Sequence, residues 1–270
     1  MDKKPYDLAM GDFVDLHDSQ SRKKQSLVML LIWAVLTVFY VTVPGYVEHL
    51  SNKGLAIGLN VLIIGAIYFI GMKAAKTGKV LNAKIPQGKV KLLTVLVITL
   101  LTVQIGLLTL IVKVSMLTLP MIKLLEIMVS AAMAGICEEV LFRGMLFNSM
   151  LTFMAESKYK FLATGAITGL AFGLLHLVNL YHQSLASTVG QIIFATALGM
   201  AFGYIRLVSN GMVWPILIHF WQDFSPVVVS SDTGNSNIGL MLTYYVPIAI
   251  FMLICIYAYN VRYNKVIASN

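Results

Sequence analysis

Apolar runs long enough to cross a bilayer recur along nearly the whole chain, near residues 26–43, 54–72, 92–112, 121–142, 161–181, 190–207, 211–230 and 238–260. A span needs roughly 17–25 mostly apolar residues. Lipid offers a backbone amide nothing to bond, so each run must satisfy its own peptide groups by winding into a helix. These runs predict an all-α fold: a polytopic membrane helix bundle of about eight transmembrane helices, or seven if the fourth or seventh run is re-entrant. Composition agrees, because only 12% of the 270 residues are charged, against about 25% in soluble domains.

The first run follows Arg22, Lys23 and Lys24 with no small-residue cleavage pattern behind it, so it is expected to be a retained helix. Residues 1–25 read as a cytoplasmic polar tail and 26–270 as a single transmembrane domain. The formal net charge of +8 does not point to nucleic acid, because its placement follows the membrane. With the N-terminus inside, 16 of the 20 Lys and Arg residues fall on the cytoplasmic side, Arg206 and the basic loop 73–91 among them. Lys53, Lys113 and Lys123 fall outside. That asymmetry is the positive-inside pattern, and an even number of spans puts both termini in the cytoplasm. The loop 73–91 is suited to anionic lipid. Cys137 and Cys255 lie in apolar runs, where a thiol behaves as a small apolar residue rather than as half of a disulfide.

Within this lipid-soluble chain, deep charge is confined to a few segments. Glu138, Glu139 and Arg143 stand in the stretch EEVLFR, and each charge at mid-bilayer costs about 2.5–3.5 kcal/mol unless paired. Glu139 and Arg143 are four apart, so they share a helical face in the favourable acid-first order. Glu138 falls on the neighbouring face, free of the arginine. The next run carries Phe172 and His176, again four apart, and a later one carries His219 and Asp223, with Pro215 a turn upstream where a kink is expected. Glu126 is read as an interfacial residue, and His17, His49 and His182 as loop residues. Gly165, Gly169 and Gly173 form one small-residue ridge, and Ala195, Gly199 and Gly203 another, which lets helix backbones approach closely in lipid.

The order E-E-x-x-x-R, F-x-x-x-H and H-x-x-x-N/D resembles the CPBP family, the CAAX proteases and bacteriocin-processing (Abi-type) intramembrane proteases. The resemblance is carried by Glu138, Glu139, Arg143, Phe172, His176, His219 and Asp223. The aspartate stands where eukaryotic Ras-converting members have asparagine, which suggests a bacterial-type member. The resemblance implies hydrolysis of a peptide bond in or beside the membrane. Glu138 would activate water with help from His176, and Phe172 would contact substrate. His219 and Asp223 would steady the anionic intermediate, and Arg143 would keep Glu139 ionised. Zinc would take Glu138, His176 and His219; a metal-free glutamate mechanism uses the same residues and is the expectation here.

The expected function is therefore an intramembrane endopeptidase of the cell membrane. Its substrate would be a membrane-associated peptide or protein, in peptide maturation or bacteriocin self-immunity. A non-catalytic membrane scaffold for a partner membrane protein is the alternative, and a proton carrier using the same acids a third.

Overall fold

The computed structural model describes residues 6–12, 17–225 and 237–269. Among them every extended element is helical; an isolated bridge between Leu8 and Leu81 is the one strand-like pairing. Six helical stretches are long and apolar enough to cross a membrane: Ser19–Glu48, Lys53–Ala75, Val90–Leu107, Lys160–Tyr181, Leu185–Ser209 and Ile238–Ala268. The chain is thus an all-helical, multi-pass membrane protein. Rows of exposed apolar side chains, such as Leu27, Leu31, Val35 and Val38 on the first helix, face outward as a lipid-facing surface requires.

The helices begin where the sequence supplies caps. Asp18 accepts from the amides of Gln20 and Ser21 at the start of α1 (Ser19–Glu48), and Asn52 from Leu55 at the start of α2 (Lys53–Ala75). After α2 come α3 (Val90–Leu101), a π-wound turn at Thr102–Leu107 and the short α4 (Leu110–Ser115). Pro120 then opens α5 (Met121–Ala132), which runs through π-wound segments at Met133–Glu138 and Val140–Leu146 into α6 (Phe147–Phe153). These pieces form one long helix, and its loosely wound middle holds the EEVLFR charges.

The remaining helices are α7 (Lys160–Leu175), α8 (Leu185–Ser209), α9 (Val213–Asp223) and α10 (Ile238–Ala268). The glycine ridges do what lipid packing asks of them. A Cβ on Gly173 would fall 2.0 Å from Thr196 Oγ1, and one on Gly199 would fall 3.1 Å from the Gly169 Cα. These glycines therefore set how closely α7 and α8 pack, and together with α10 the pair builds the larger apolar core. A second core joins α1, α2 and the long helix around Ile67, Cys137, Phe142 and Met145.

Two expectations change, and the tail gains a detail. The run at 211–230 does not yield a span over its described part: α9 has 11 residues, about 16 Å of helix against a hydrocarbon core of about 30 Å. Pro215 makes no kink, because it stands in the first turn of α9, where its missing N–H costs nothing. The described part of 1–25 is docked: Leu8, Ala9 and Met10 are buried, and so is Arg22, which pairs with Glu156.

Candidate active site

A buried carboxylate–arginine pair anchors the site. Glu139 and Arg143 are both fully buried, and the guanidinium NH1 donates to Glu139 Oε1 at 2.8 Å. Arg143 NH2 donates to the Gly199 carbonyl at 3.1 Å, and the guanidinium carbon lies 4.2 Å from the centre of the Phe172 ring. The cation is thus held by a carboxylate, a carbonyl and an aromatic face at once, which is how a desolvated arginine is made tolerable. It also pins the long helix to α8 and α7.

His219 joins the two glutamates. Its Nδ1 lies 2.9 Å from Glu139 Oε1, and its Nε2 lies 3.7 Å from Glu138 Oε2 and 3.4 Å from Asp223 Oδ2. An ionised carboxylate only accepts, so Nδ1 carries the proton it gives to Glu139, and Nε2 is the atom that faces the remaining acids. The second oxygen of Glu139 has no partner among the described residues, so Oε1 alone carries both bonds. Aromatic rings fix the imidazole: Phe172 meets it edge-on at 5.7 Å, and Phe202 lies tilted against it at 35° and 5.2 Å.

The π-wound middle of the long helix and a glycine make this meeting geometrically feasible. A Cβ on Gly135 would lie 2.8 Å from the Phe220 nitrogen and 2.9 Å from its Cα, so α9 is seated directly on the long helix at that point. Loosely wound turns recur at functional sites because they re-aim side chains without ending a helix. Here both adjacent glutamates reach one ring, although regular winding would put them on neighbouring faces.

The two glutamates differ in access. The Glu139 side chain has no exposure, whereas 11% of Glu138's remains open. Glu138 Oε1 accepts a hydrogen bond from the Tyr40 hydroxyl at 2.7 Å, a contact from α1 that no motif announced. The first two helices carry further buried polar atoms that have no partner among the described residues: Trp33 Nε1, Thr37 Oγ1 and Asn60 Oδ1.

Two residues take places other than those expected. Phe172, expected to meet substrate, is 1% exposed, its ring occupied by Arg143, Phe142, His176 and His219. His176 caps the end of α7, half-buried, and its Nδ1 donates to the Phe172 carbonyl at 3.1 Å. Its ring meets Phe172 edge-on, as does that of His219, so one phenyl ring separates the two imidazoles. For zinc, the donor set does not fit. Each histidine keeps its Nε2 free of the Nδ1 bonds just described, but among the described residues no three His, Cys, Asp or Glu side chains come together as a group able to hold a metal ion. Cys137 is fully buried beside Met133, an inert core thiol.

Sequence comparison bears on the same segment. Residues 120–225 match the family model described as type II CAAX prenyl endopeptidase Rce1-like. The Rce1-like region is less than half of the 270 residues, opening at the proline that caps α5 and closing just after α9. Every residue of the charged cluster except Tyr40 lies inside it, which shows the resemblance to the CAAX protease family. No curated protein and no solved structure matches the chain.

Proposed function

We propose that the chain is an intramembrane endopeptidase in which Glu138 is the general base. The observation carrying this reading is the contrast between neighbours. Glu139 is sealed and neutralised by Arg143, while Glu138 keeps an open edge 3.7 Å from His219 Nε2. A water placed at that edge gives its proton to Glu138 as its oxygen attacks the scissile carbonyl carbon. The carbonyl electron pair moves onto oxygen, where His219, protonated on Nε2, donates to it. Collapse of the intermediate expels the amine, which takes the proton back from Glu138. Asp223 positions His219 from the same helix turn, and Tyr40 orients Glu138. Phe172 holds Arg143 and both imidazoles in register, and His176 acts through that ring as a positioning residue.

The substrate is a membrane-associated peptide or the tail of a membrane protein, met from the lipid phase, in peptide maturation or bacteriocin self-immunity. The cell membrane is the site of action, with both termini in the cytoplasm, as the charge asymmetry of the loops supports. The decisive measurement is a comparison of peptides from membranes holding the wild-type protein or Glu138→Gln. A precursor should accumulate with the variant, and cleavage of it by purified protein should fall by about 10²–10⁴-fold. Unchanged processing by a folded Glu138→Gln protein would overturn the reading and favour a scaffold.

A further inference from the structure

The cavity at the inner end of α2 has no part in the proposed hydrolysis. It encloses about 780 Å³ and is bounded by the last turns of α2, the loop 76–82 and the start of α9. Lys76 and Lys79 line it, and among the described residues no acidic one does. Its other wall is apolar, formed by Tyr68, Met72, Met212 and Ile216. Phe69 and Ile70, on the same turn of α2 as Tyr68, are exposed as lipid-facing residues are.

Two further features concentrate positive charge there. Lys76 holds φ +66° and ψ −39°, a conformation that costs any side-chain-bearing residue and that glycine adopts freely. Asn210, the other positive-φ residue that is not glycine, repays its conformation by bonding Val80 and Leu81 from its side chain. The Lys76 ammonium has no comparable bond among those the structure shows. Behind the cavity wall, Arg206 is fully buried and donates to Asn148 Oδ1 at 2.6 Å; Asn148 in turn holds the carbonyls of Ala75 and Thr77. Arg206 Nε and NH1 have no acceptor among the described residues. A buried cation that no carboxylate among the described residues bonds, set beneath two lysines, raises the potential of the pocket toward anions.

We infer that this cavity binds the headgroup of an anionic phospholipid, with Lys76 and Lys79 on the phosphate and the acyl chains along Tyr68 and Met72. The apolar wall continuing into the span selects an amphiphile over a soluble phosphate. The site is distinct from the hydrolytic cluster, and its occupancy is readable without any activity.

The test is lipid retention by the full-length protein, measured by native mass spectrometry after exchange into mixed phosphatidylglycerol and phosphatidylcholine. Wild type should keep phosphatidylglycerol preferentially. Lys76→Gly and Lys79→Gln should each cut that preference about fivefold, from the worth of one lysine beside an anionic headgroup. Lys89→Gln, in the same basic loop but outside the cavity, should leave it unchanged. Lys76→Gly should also raise the lipid-free unfolding temperature by about 2–4 °C by relieving strain, which separates lost binding from lost folding. Equal losses from Lys89→Gln, no preference between the two lipids, or displacement by soluble glycerol phosphate would each overturn the inference.

Discussion

Two arginines are buried in this bundle, and their surroundings differ in kind. Arg143 has a carboxylate, a carbonyl and an aromatic face, with Nε alone unbonded; Arg206 has an amide oxygen at 2.6 Å and the Phe147 ring, with Nε and NH1 unbonded among the described residues. Around Arg143, charge is balanced by Glu139, so that the neighbouring Glu138, held by Tyr40 and His219 rather than by the arginine, is available for chemistry. Around Arg206, positive charge is left standing beside a cavity that holds more of it. Stability measurements break or confirm this contrast. Arg143→Met should destabilise the protein by about 3–5 kcal/mol, because it leaves Glu139 buried without its counter-ion. Arg206→Met removes a cation that no carboxylate among the described residues bonds and should cost less than about 1 kcal/mol in lipid-free detergent, or stabilise. Comparable losses from both, in thermal or denaturant unfolding of the purified variants, would mean that Arg206 has an ionic partner after all.

The region around Arg143 was largely legible in the sequence, and the region around Arg206 was not. Helical spacing alone paired Glu139 with Arg143 and His219 with Asp223, because those contacts lie within one turn. The glycine ridges predicted close helix packing for the same local reason. Tyr40 escaped notice because its bond to Glu138 joins residues 98 apart, and a tyrosine in an apolar run looks like any aromatic at a membrane. Arg206 was counted among the cytoplasmic charges, and its sequence gives no sign that Asn148 and Phe147 bury it. Lys113, read as an outer-side charge, is likewise buried and donates to the carbonyls of Trp221 and Phe224, the latter at 2.7 Å. The π winding has no composition of its own; it emerges from how the long helix must fit between α9 on one side and α2 on the other.

The seating of α9 sharpens the contrast at smaller cost. Gly135 and Gly144 flank the charged motif on one helix, and alanine meets different surroundings at each. At 135 the new methyl would strike the Phe220 backbone at 2.8 Å, whereas at 144 its nearest neighbour is the end of the flexible Met212 side chain at 3.4 Å. Gly135→Ala should therefore destabilise by about 2–3 kcal/mol and impair cleavage by displacing His219 from both glutamates. Gly144→Ala should be near neutral, because the gain of alanine over glycine in a helix, about 0.5–1 kcal/mol, offsets a contact that Met212 can relieve. Unfolding and cleavage assays on the pair decide it; equal effects would show that helix winding rather than the Phe220 contact controls the site.

The smallest effect distinguishes what a hydrogen bond does in each region. Tyr40 donates to Glu138 at 2.7 Å, and Arg206 donates to Asn148 at 2.6 Å. The first bond orients a carboxylate that must change partners during hydrolysis; the second serves only the packing of α8 against the long helix. Tyr40→Phe keeps the ring and removes one bond to a charged acceptor, worth about 1.5 kcal/mol. It should lower kcat/KM for peptide cleavage roughly tenfold and leave the unfolding temperature nearly unchanged, since the freed Glu138 edge is open to water. Asn148→Ala should do the reverse, lowering the unfolding temperature while kcat/KM stays within a few-fold of wild type. If Tyr40→Phe instead lowers stability and spares the rate, the tyrosine is a packing residue, and Glu138 is oriented by His219 alone.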